Sequence, residues 1–196
     1  MKILQAIEAD FEESISRSSD EARDIRMDNF NEFKKLGIPT SKQEFWKFTN
    51  PSIIKNSEFT LGLSKDYDDK KYDIILVNGK LTKKNDDIKI NNIHESLAEK
   101  EISNEIFGIT NNPFINLNNA FSTEGCVLSF KDNVEKEISI LNVIDNTTSK
   151  QITHPRIIIN VGKNSNISIL EKIRFLGNKE NLVNSGVINS NSKYSK

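Results

Sequence analysis

The residues of this chain that could carry chemistry are few and far apart. Thiolate and imidazole groups are the usual ligands of zinc, but the chain has one cysteine, Cys126, and two histidines, His94 and His154. The histidines are 60 residues apart, and neither has a cysteine or carboxylate at a recognised metal-ligand spacing. The sequence also lacks a nucleophile elbow and a phosphate-binding glycine motif. We therefore expect no metal site and no catalytic site.

Each of these residues has a structural interpretation. Cys126 stands beside Val127 in an apolar run, which favours a small buried core residue over a reactive thiol. His94 comes at the start of a helical pattern and is expected at the surface. His154 precedes Pro155, which favours extended backbone, so we expect it at a corner between strands.

Composition points to a cytoplasmic protein. Lys and Arg total 27 and Asp and Glu total 28, with no long run of either sign, so we expect no nucleic-acid partner and no acidic-membrane partner. One cysteine excludes an internal disulfide, and the N-terminus reaches acidic residues before an apolar core of signal-peptide length can form. The acidic pairs Asp68-Asp69 and Asp86-Asp87 lie in Lys-rich stretches and are predicted to be solvated loops.

The first third of the chain predicts helices. Apolar residues three and four positions apart predict a first helix, namely Ile3, Leu4, Ile7, Phe11 and Ile15. Ser18 and Glu21 form a capping box for a second helix, which Gly37 and Pro39 end. The residues expected on the inner face of this second helix are Ala22, Ile25, Phe30, Phe33 and Leu36.

A third, short helix is predicted before Pro51. Ser41 and Glu44 repeat the capping-box pattern, and the helix would carry Phe45, Trp46 and Phe48. A helix of about two turns is marginal in water. We therefore expect Trp46, the only tryptophan, to anchor it on a neighbouring element.

The rest of the chain predicts strands with few helices. Asn78-Gly79 after an apolar run predicts a β-hairpin, residues 87–93 alternate like a strand, and residues 95–102 predict a helix. Residues 112–121 are ambiguous, with a short helix preferred. From Gly125 on, short apolar stretches follow one another at irregular spacing, which favours a β-solenoid over a sandwich.

Asparagine is concentrated in the second half of the chain. Residues 1–50 contain 3 asparagines and residues 101–196 contain 17. Asn tolerates left-handed backbone angles, so this distribution predicts turn-rich structure.

Several of these stretches, in their order along the chain, resemble the SufB/SufD family of the SUF iron–sulfur cluster assembly system, and its SufD members most closely. The resemblance begins with Arg26, Phe30, Phe33, Gly37-Ile38-Pro39 and Glu44-Phe45-Trp46-Lys47-Phe48-Thr49. It continues with Tyr72-Asp73, Leu76-Val77-Asn78-Gly79, Leu117, Asn119-Ala120-Phe121 and Gly125. It ends with His154-Pro155-Arg156, Ile157 to Ile159 and Ile169-Leu170-Glu171.

The resemblance implies a mixed α and β fold, with an N-terminal helical domain followed by a truncated right-handed parallel β-helix. We expect the helical domain over residues 1–62, a mixed connecting region over 63–124 and the start of an incomplete β-helix over 125–196. As structural signature residues, with no catalytic or ligand-binding role, it implies Arg26, Gly37, Pro39, Glu44, Trp46, Lys47, Thr49, Asn78, Gly79, Pro155 and Arg156.

The implied function is that of a non-catalytic scaffold subunit of the SufBCD complex. Its partners would be SufB and SufC. Cluster ligation commonly takes four thiolates and this chain has one cysteine, so the wider complex would assemble the iron–sulfur cluster. The sequence resembles an N-terminal portion of such a subunit, without the terminal helical domain that binds SufC. We therefore expect this chain alone to self-associate and not to bind SufC.

Two other functions remain open from the sequence. One is a carbohydrate-active β-helix enzyme, because that fold often carries lyases and hydrolases. The other is an isolated protein-binding module.

Overall fold

The helices cluster in the first two thirds of the chain and the longest strands in the last third. The computed structural model describes residues 2–16, 20–62, 66–85, 87–122 and 125–191. Within these residues the α-helices are α1 (Lys2–Ile15), α2 (Asp20–Leu36), α3 (Ile93–Ala98) and α4 (Pro113–Ala120). Short 3₁₀ helices cover Glu44–Trp46, Pro51–Asn56 and Asn104–Phe107.

The described residues form eleven strands in three sheets. The first four strands are β1 (Thr60–Leu61), β2 (Ile74–Val77), β3 (Lys80–Lys83) and β4 (Lys89–Asn92). The others are β5 (Cys126–Ser129), β6 (Glu135–Ile144), β7 (Gln151–Thr153), β8 (Arg156–Val161), β9 (Asn166–Phe175), β10 (Asn181–Val183) and β11 (Gly186–Asn191). The sheet orders are β1-β7-β10, β11-β8-β5-β4 and β3-β2-β6-β9.

The prediction of a truncated right-handed parallel β-helix was wrong, whereas the mixture of α and β was correct. The strands form three small sheets, and none of them is closed or solenoid-like. Strand lengths vary from two to ten residues, and α3 and α4 lie between β4 and β5. Two sheets end in an antiparallel strand, because β3 pairs with β2 and β4 pairs with β5 in that direction. Strand spacing alone did not reveal this mixed pairing.

The two N-terminal helices are confirmed. The predicted face of α1 is buried, and Phe11 stacks on Phe30 of α2 with ring centroids 3.9 Å apart. Gly37 ends α2 with φ of +68°, a left-handed angle that glycine adopts without a steric penalty. Ser18 and the side chain of Glu21, the predicted cap of α2, lie outside the described residues.

The predicted third helix is a 3₁₀ turn, Glu44–Trp46. The Ser41–Glu44 capping box was wrong, since Gln43 occupies the N-cap position and makes no side-chain capping bond. Phe45 is 99% exposed and Phe48 is 95% exposed, so neither ring contributes to the core. The predicted anchor is confirmed, because Trp46 packs edge-on against Phe114 of α4 with centroids 5.4 Å apart.

Further predictions of local structure hold. The β2–β3 hairpin turns at Asn78 and Gly79, which both have positive φ angles, 51° and 92°. The strand and helix predicted within 87–102 are β4 and α3, and residues 112–121 contain α4. A capping box of Asn92 and Glu95 begins α3, which the sequence analysis missed.

The serial strands after Gly125 are also present. The described residues after Gly125 contain seven strands, β5 to β11. Two asparagines in the turns before β6 and β9 have positive φ, namely Asn133 and Asn164, and the Asn164 amide donates to Asn133 Oδ1 over 3.3 Å. Asparagine-supported turns are therefore confirmed at these positions.

One hydrophobic cluster joins the helices to the strands. It contains inner residues of α1 and α2 together with Leu117 of α4 and Ile152 of β7, so it draws on all three predicted domain ranges. A second cluster lies between the two four-stranded sheets, with Ile138 and Ile140 of β6 facing Cys126 and Leu128 of β5. The core therefore fixes helices and sheets against each other.

Two phenylalanines provide a direct test of this core. Phe33 is 1% exposed in the helical cluster and Phe48 is 95% exposed. We expect Phe33→Ala to lower the free energy of unfolding by about 3–5 kcal/mol, because it leaves a cavity. The matched control Phe48→Ala should change it by less than about 0.5 kcal/mol. Urea unfolding monitored by circular dichroism measures both, and similar losses in the two variants would contradict the packing.

Candidate interaction site around helix α4

Helix α4 lies at the junction of the helices and the sheets. The Asn112 side chain accepts a hydrogen bond from the Phe114 amide at its start, and Pro113 occupies the first turn, where no intrahelical donor is needed. Six of its eight residues are buried. Three of these are asparagines, which are poor helix formers, so their burial indicates a tertiary role.

Asn118 connects α4 to two strand entrances. Its Nδ2 donates to the carbonyl oxygen of Pro155 over 3.2 Å and to that of Asn184 over 2.6 Å. Its Oδ1 accepts from Arg156 Nη1 over 2.8 Å. One amide thus holds the start of β8 and the residues just before β11, and an unmade bond at this buried place would be costly.

The Arg156 guanidinium is buried with few partners. Besides Asn118, its Nη2 donates to the carbonyl of Ile106 over 3.3 Å, and the group lies 5.2 Å from the centre of the Phe107 ring. Burial lowers the pKa of Arg156 to about 10, so the side chain stays positively charged at neutral pH. Removing the Asn118 acceptor would leave the buried guanidinium charge of Arg156 with one hydrogen bond fewer.

Arg26 makes the corresponding connection from the helical side. Its Nε donates to the carbonyl of Ala120, the last residue of α4, over 2.6 Å. Its other guanidinium nitrogens donate to the carbonyl and the hydroxyl of Ser14 in α1. The group also lies 5.6 Å from the Phe11 ring centre. Arg26 therefore joins α1, α2 and α4.

A second asparagine of α4 also contacts α2. Asn119 Nδ2 donates to Asn29 Oδ1 over 3.0 Å, and Asn29 Nδ2 donates to the carbonyl of Phe107 over 2.8 Å. Both asparagines are buried. The α2–α4 contact is therefore specified by polar pairing as well as by apolar packing.

His154 is a buried, neutral histidine. Its ring stacks on Phe121 with centroids 4.6 Å apart, and Asn184 Nδ2 lies 3.2 Å from its Nδ1. The same Nδ2 donates to the carbonyl of Phe114. A hydrogen bond from Asn184 Nδ2 to Nδ1 would place the proton of the neutral ring on Nε2, a buried atom with no hydrogen-bond partner among the described residues. Burial lowers the pKa of His154 to about 3.

The Asn78-Gly79 turn lies beside the same strand entrance. A Cβ added to Gly79 would lie 3.3 Å from the Pro155 nitrogen, so the turn packs closely on that backbone. Asn78 Oδ1 accepts from the Asp145 amide over 2.9 Å, which ties the hairpin to the end of β6.

The structure brings together part of the predicted signature. The members around α4 or beside Pro155 are Arg26, Trp46, Asn78, Gly79, Pro155 and Arg156. The others lie elsewhere: Gly37 and Pro39 follow α2, and Glu44, Lys47 and Thr49 are exposed on the 3₁₀ segment. The sequence analysis missed Asn29, Asn118 and Asn184; an asparagine inside a predicted helix was a usable signal for Asn29 and Asn118, whereas Asn184 follows β10 and gave none.

The remaining chemical groups lie apart from this network. Cys126 is buried, as predicted, and burial raises its thiol pKa to about 12, with a smaller contribution from the charge of Glu171. His94 is exposed in the first turn of α3. Across the described ranges, no three His, Cys, Asp or Glu side chains are grouped to hold a metal ion.

Strand β9 is a second exposed feature. It pairs with β6 along ten residues, and within the described part of the chain no strand pairs with its other edge. Leu170, Ile173 and Phe175 on β9 are each half exposed, and Glu171 Oε1 accepts from the buried Asn142 amide. An edge of this length offers backbone groups for strand pairing.

Comparisons with protein families and with curated proteins found no match to this chain. The resemblance to the SufB/SufD family therefore rests on the residues named above. In the part of the chain described here, no helix is both long enough and apolar enough to cross a membrane.

The buried state of His154 predicts an acid-sensitive fold. Its folded pKa of about 3 lies below its ordinary value of 6.5, so the unfolded chain binds the extra proton first as the pH falls. The stabilisation is complete above pH 6.5 and is lost as the pH falls towards 3, by up to about 1.4 kcal/mol per pH unit.

His154→Phe retains a ring on Phe121 and cannot titrate. We expect the free energy of unfolding of this variant to fall less steeply than that of the wild type between pH 6 and 4, as measured by urea unfolding at a series of pH values. Taking the difference between the two proteins cancels the contribution of the carboxylates. Parallel profiles would show that His154 does not carry this dependence.

Proposed function

We propose that this chain is a SufD-like, non-catalytic scaffold subunit of the cytoplasmic SufBCD complex, which assembles iron–sulfur clusters. The cluster is the cargo of the complex and is not bound by this chain. In this proposal SufB and SufC supply the chemistry, and the chain supplies a rigid frame for their assembly.

The observation that carries the proposal is that residues from several matching motifs meet at one place in the structure, around α4. The matching motifs are scattered from Arg26 to Glu171, and three of their residues, Arg26, Trp46 and Arg156, contact α4. His154 stacks on the residue that follows this helix, Phe121. A chance similarity between unrelated sequences gives no reason for its residues to share one contact network.

The type of contact supports a scaffold over an enzyme. Arg26, Arg156 and His154 are buried; Arg26 donates to the carbonyl of Ala120, and Arg156 donates to the carbonyl of Ile106 and to Asn118 Oδ1. Such groups position elements and are not exposed to a substrate. The half-exposed apolar residues on the β9 edge provide surface for protein contact.

No observation favours the carbohydrate-active enzyme over this proposal. That alternative rested only on the parallel β-helix fold, which the structure does not have. The scaffold proposal loses the same fold expectation but keeps the ordered motifs from Arg26 to Glu171.

Co-purification tests the proposal. The protein that carries this chain is co-expressed with SufB and SufC from the same source, and one tagged subunit is isolated. We expect the three proteins to elute together at a fixed ratio, because a scaffold must bind its partners stably. The same co-expression should restore the activity of an iron–sulfur enzyme in cells that lack the SUF system.

A matched variant separates loss of fold from loss of function. Leu170→Glu places a charge on the half-exposed β9 edge, away from the α4 network. We expect it to keep the wild-type circular dichroism spectrum and to weaken co-elution. A folded wild-type protein that never elutes with SufB or SufC would contradict the scaffold function.

A further inference from the structure

The segment between α2 and the 3₁₀ helix Pro51–Asn56 exposes two aromatic side chains almost completely. All residues from 41 to 50 are exposed except Trp46. Phe45 is 99% exposed and Phe48 is 95% exposed, whereas the other exposed large apolar residues in the described ranges reach at most 57%. The fold does not use these two rings in its core.

The local backbone directs the two side chains to the same side of the segment, although exposures of 99% and 95% mean that the rings do not pack on each other. Amides in this segment bond to carbonyls three residues earlier, from Trp46 to Gln43 over 2.9 Å and from Thr49 to Trp46 over 3.1 Å. Side chains three residues apart eclipse in such a 3₁₀ turn. Phe45 and Phe48 therefore form one patch on the same side of the segment.

The patch is held on a fixed support. Trp46, between the two phenylalanines, packs edge-on against Phe114 of α4, and the 3₁₀ helix that follows begins at the buried Pro51. Because the backbone between the two phenylalanines is anchored by Trp46, the segment loses less conformational freedom on binding than a free loop would.

The charges around the patch indicate the kind of partner. Lys42, Glu44 and Lys47 are exposed in the same segment, so it carries a net charge of +1, from two lysines and one glutamate, although the whole chain carries −1. The Lys47 ammonium lies 5.6 Å from the centre of the Phe48 ring. An acidic partner would complement this positive rim.

Other occupants fit less well. A second copy of the chain would bring two pairs of lysines together, and a patch this small cannot bury the roughly 1,200 Å² of a stable protein interface on its own. A membrane surface usually requires a long amphipathic helix or a lipid chain, and this segment is a short 3₁₀ turn.

We propose that Phe45 and Phe48 form a docking surface for an acidic, amphipathic segment of another protein. The two rings insert between apolar side chains of the partner, and Lys42 and Lys47 pair with carboxylates at its rim. This surface is separate from the buried α4 network and from the β9 edge, so it does not depend on the proposed scaffold function.

A defined peptide pair tests the proposal. The probe is a labelled helical peptide with leucines along one face and glutamates flanking them, and its control has lysine in place of every glutamate. Fluorescence anisotropy and the emission of Trp46, the only tryptophan, report binding. We expect the acidic peptide to bind at least about tenfold more tightly than the basic one at low salt.

Substitutions then assign the binding to the patch. Phe45→Ser with Phe48→Ser should weaken binding of the acidic peptide at least about tenfold, as loss of aromatic anchors does in other interfaces. Lys42→Glu with Lys47→Glu should reverse the preference between the two peptides. The matched control is Phe175→Ser, which removes a half-exposed ring from β9 and should leave binding unchanged. Circular dichroism checks that each variant folds.

The outcomes that would overturn the proposal are distinct. Equal binding of both peptides, or binding that survives loss of both phenylalanines, would refute the docking surface. Binding of the patch to vesicles of phosphatidylcholine and phosphatidylserine, with no peptide preference, would replace the protein partner with a membrane. A dimer in sedimentation that the double phenylalanine variant abolishes would replace it with a second copy.

Discussion

The hydrogen bond between Asn118 and the buried Arg156 guanidinium is the contact on which the junction of helices and sheets depends. A buried arginine is tolerated only where its donors find acceptors, and Asn118 supplies one while its own amide holds the carbonyls of Pro155 and Asn184. Helix α4 must therefore lie where it does, at the entrances of β8 and β11. Apolar packing alone would allow the helix to shift along the sheet.

The same constraint explains why the candidate surfaces are separate from the charged and polar residues of the resemblance. Arg26, Arg156 and His154 are all committed to internal contacts, so they fix geometry and leave the surface to other residues. The exposed apolar residues include Phe45 and Phe48, on either side of the packed Trp46, and three half-exposed residues of β9. The scaffold function proposed above would use such surfaces for its partners.

Local structure was predictable where one short pattern determines it. The apolar spacing of Ile3 to Ile15 predicted α1, and the Asn78-Gly79 pair predicted the hairpin, because both signals depend on neighbouring residues only. The sheet architecture was not predictable in this way, since pairing partners such as β6 and β9 are distant in sequence. The third helix was wrong in type and in its cap, since it is a 3₁₀ turn that begins after Gln43 without a side-chain capping bond. The α4 network was missed because asparagine is usually a turn residue.

A double-mutant cycle between Asn118 and Arg156 tests the central claim, that residues 38 positions apart in sequence form one coupled junction. Asn118→Ala, Arg156→Met and the double variant would be compared with the wild type by urea unfolding. The account predicts a coupling of about 1–3 kcal/mol, because the second substitution removes a buried charge that the first has already deprived of one of its acceptors. Free-energy losses that add to within about 0.5 kcal/mol would contradict it.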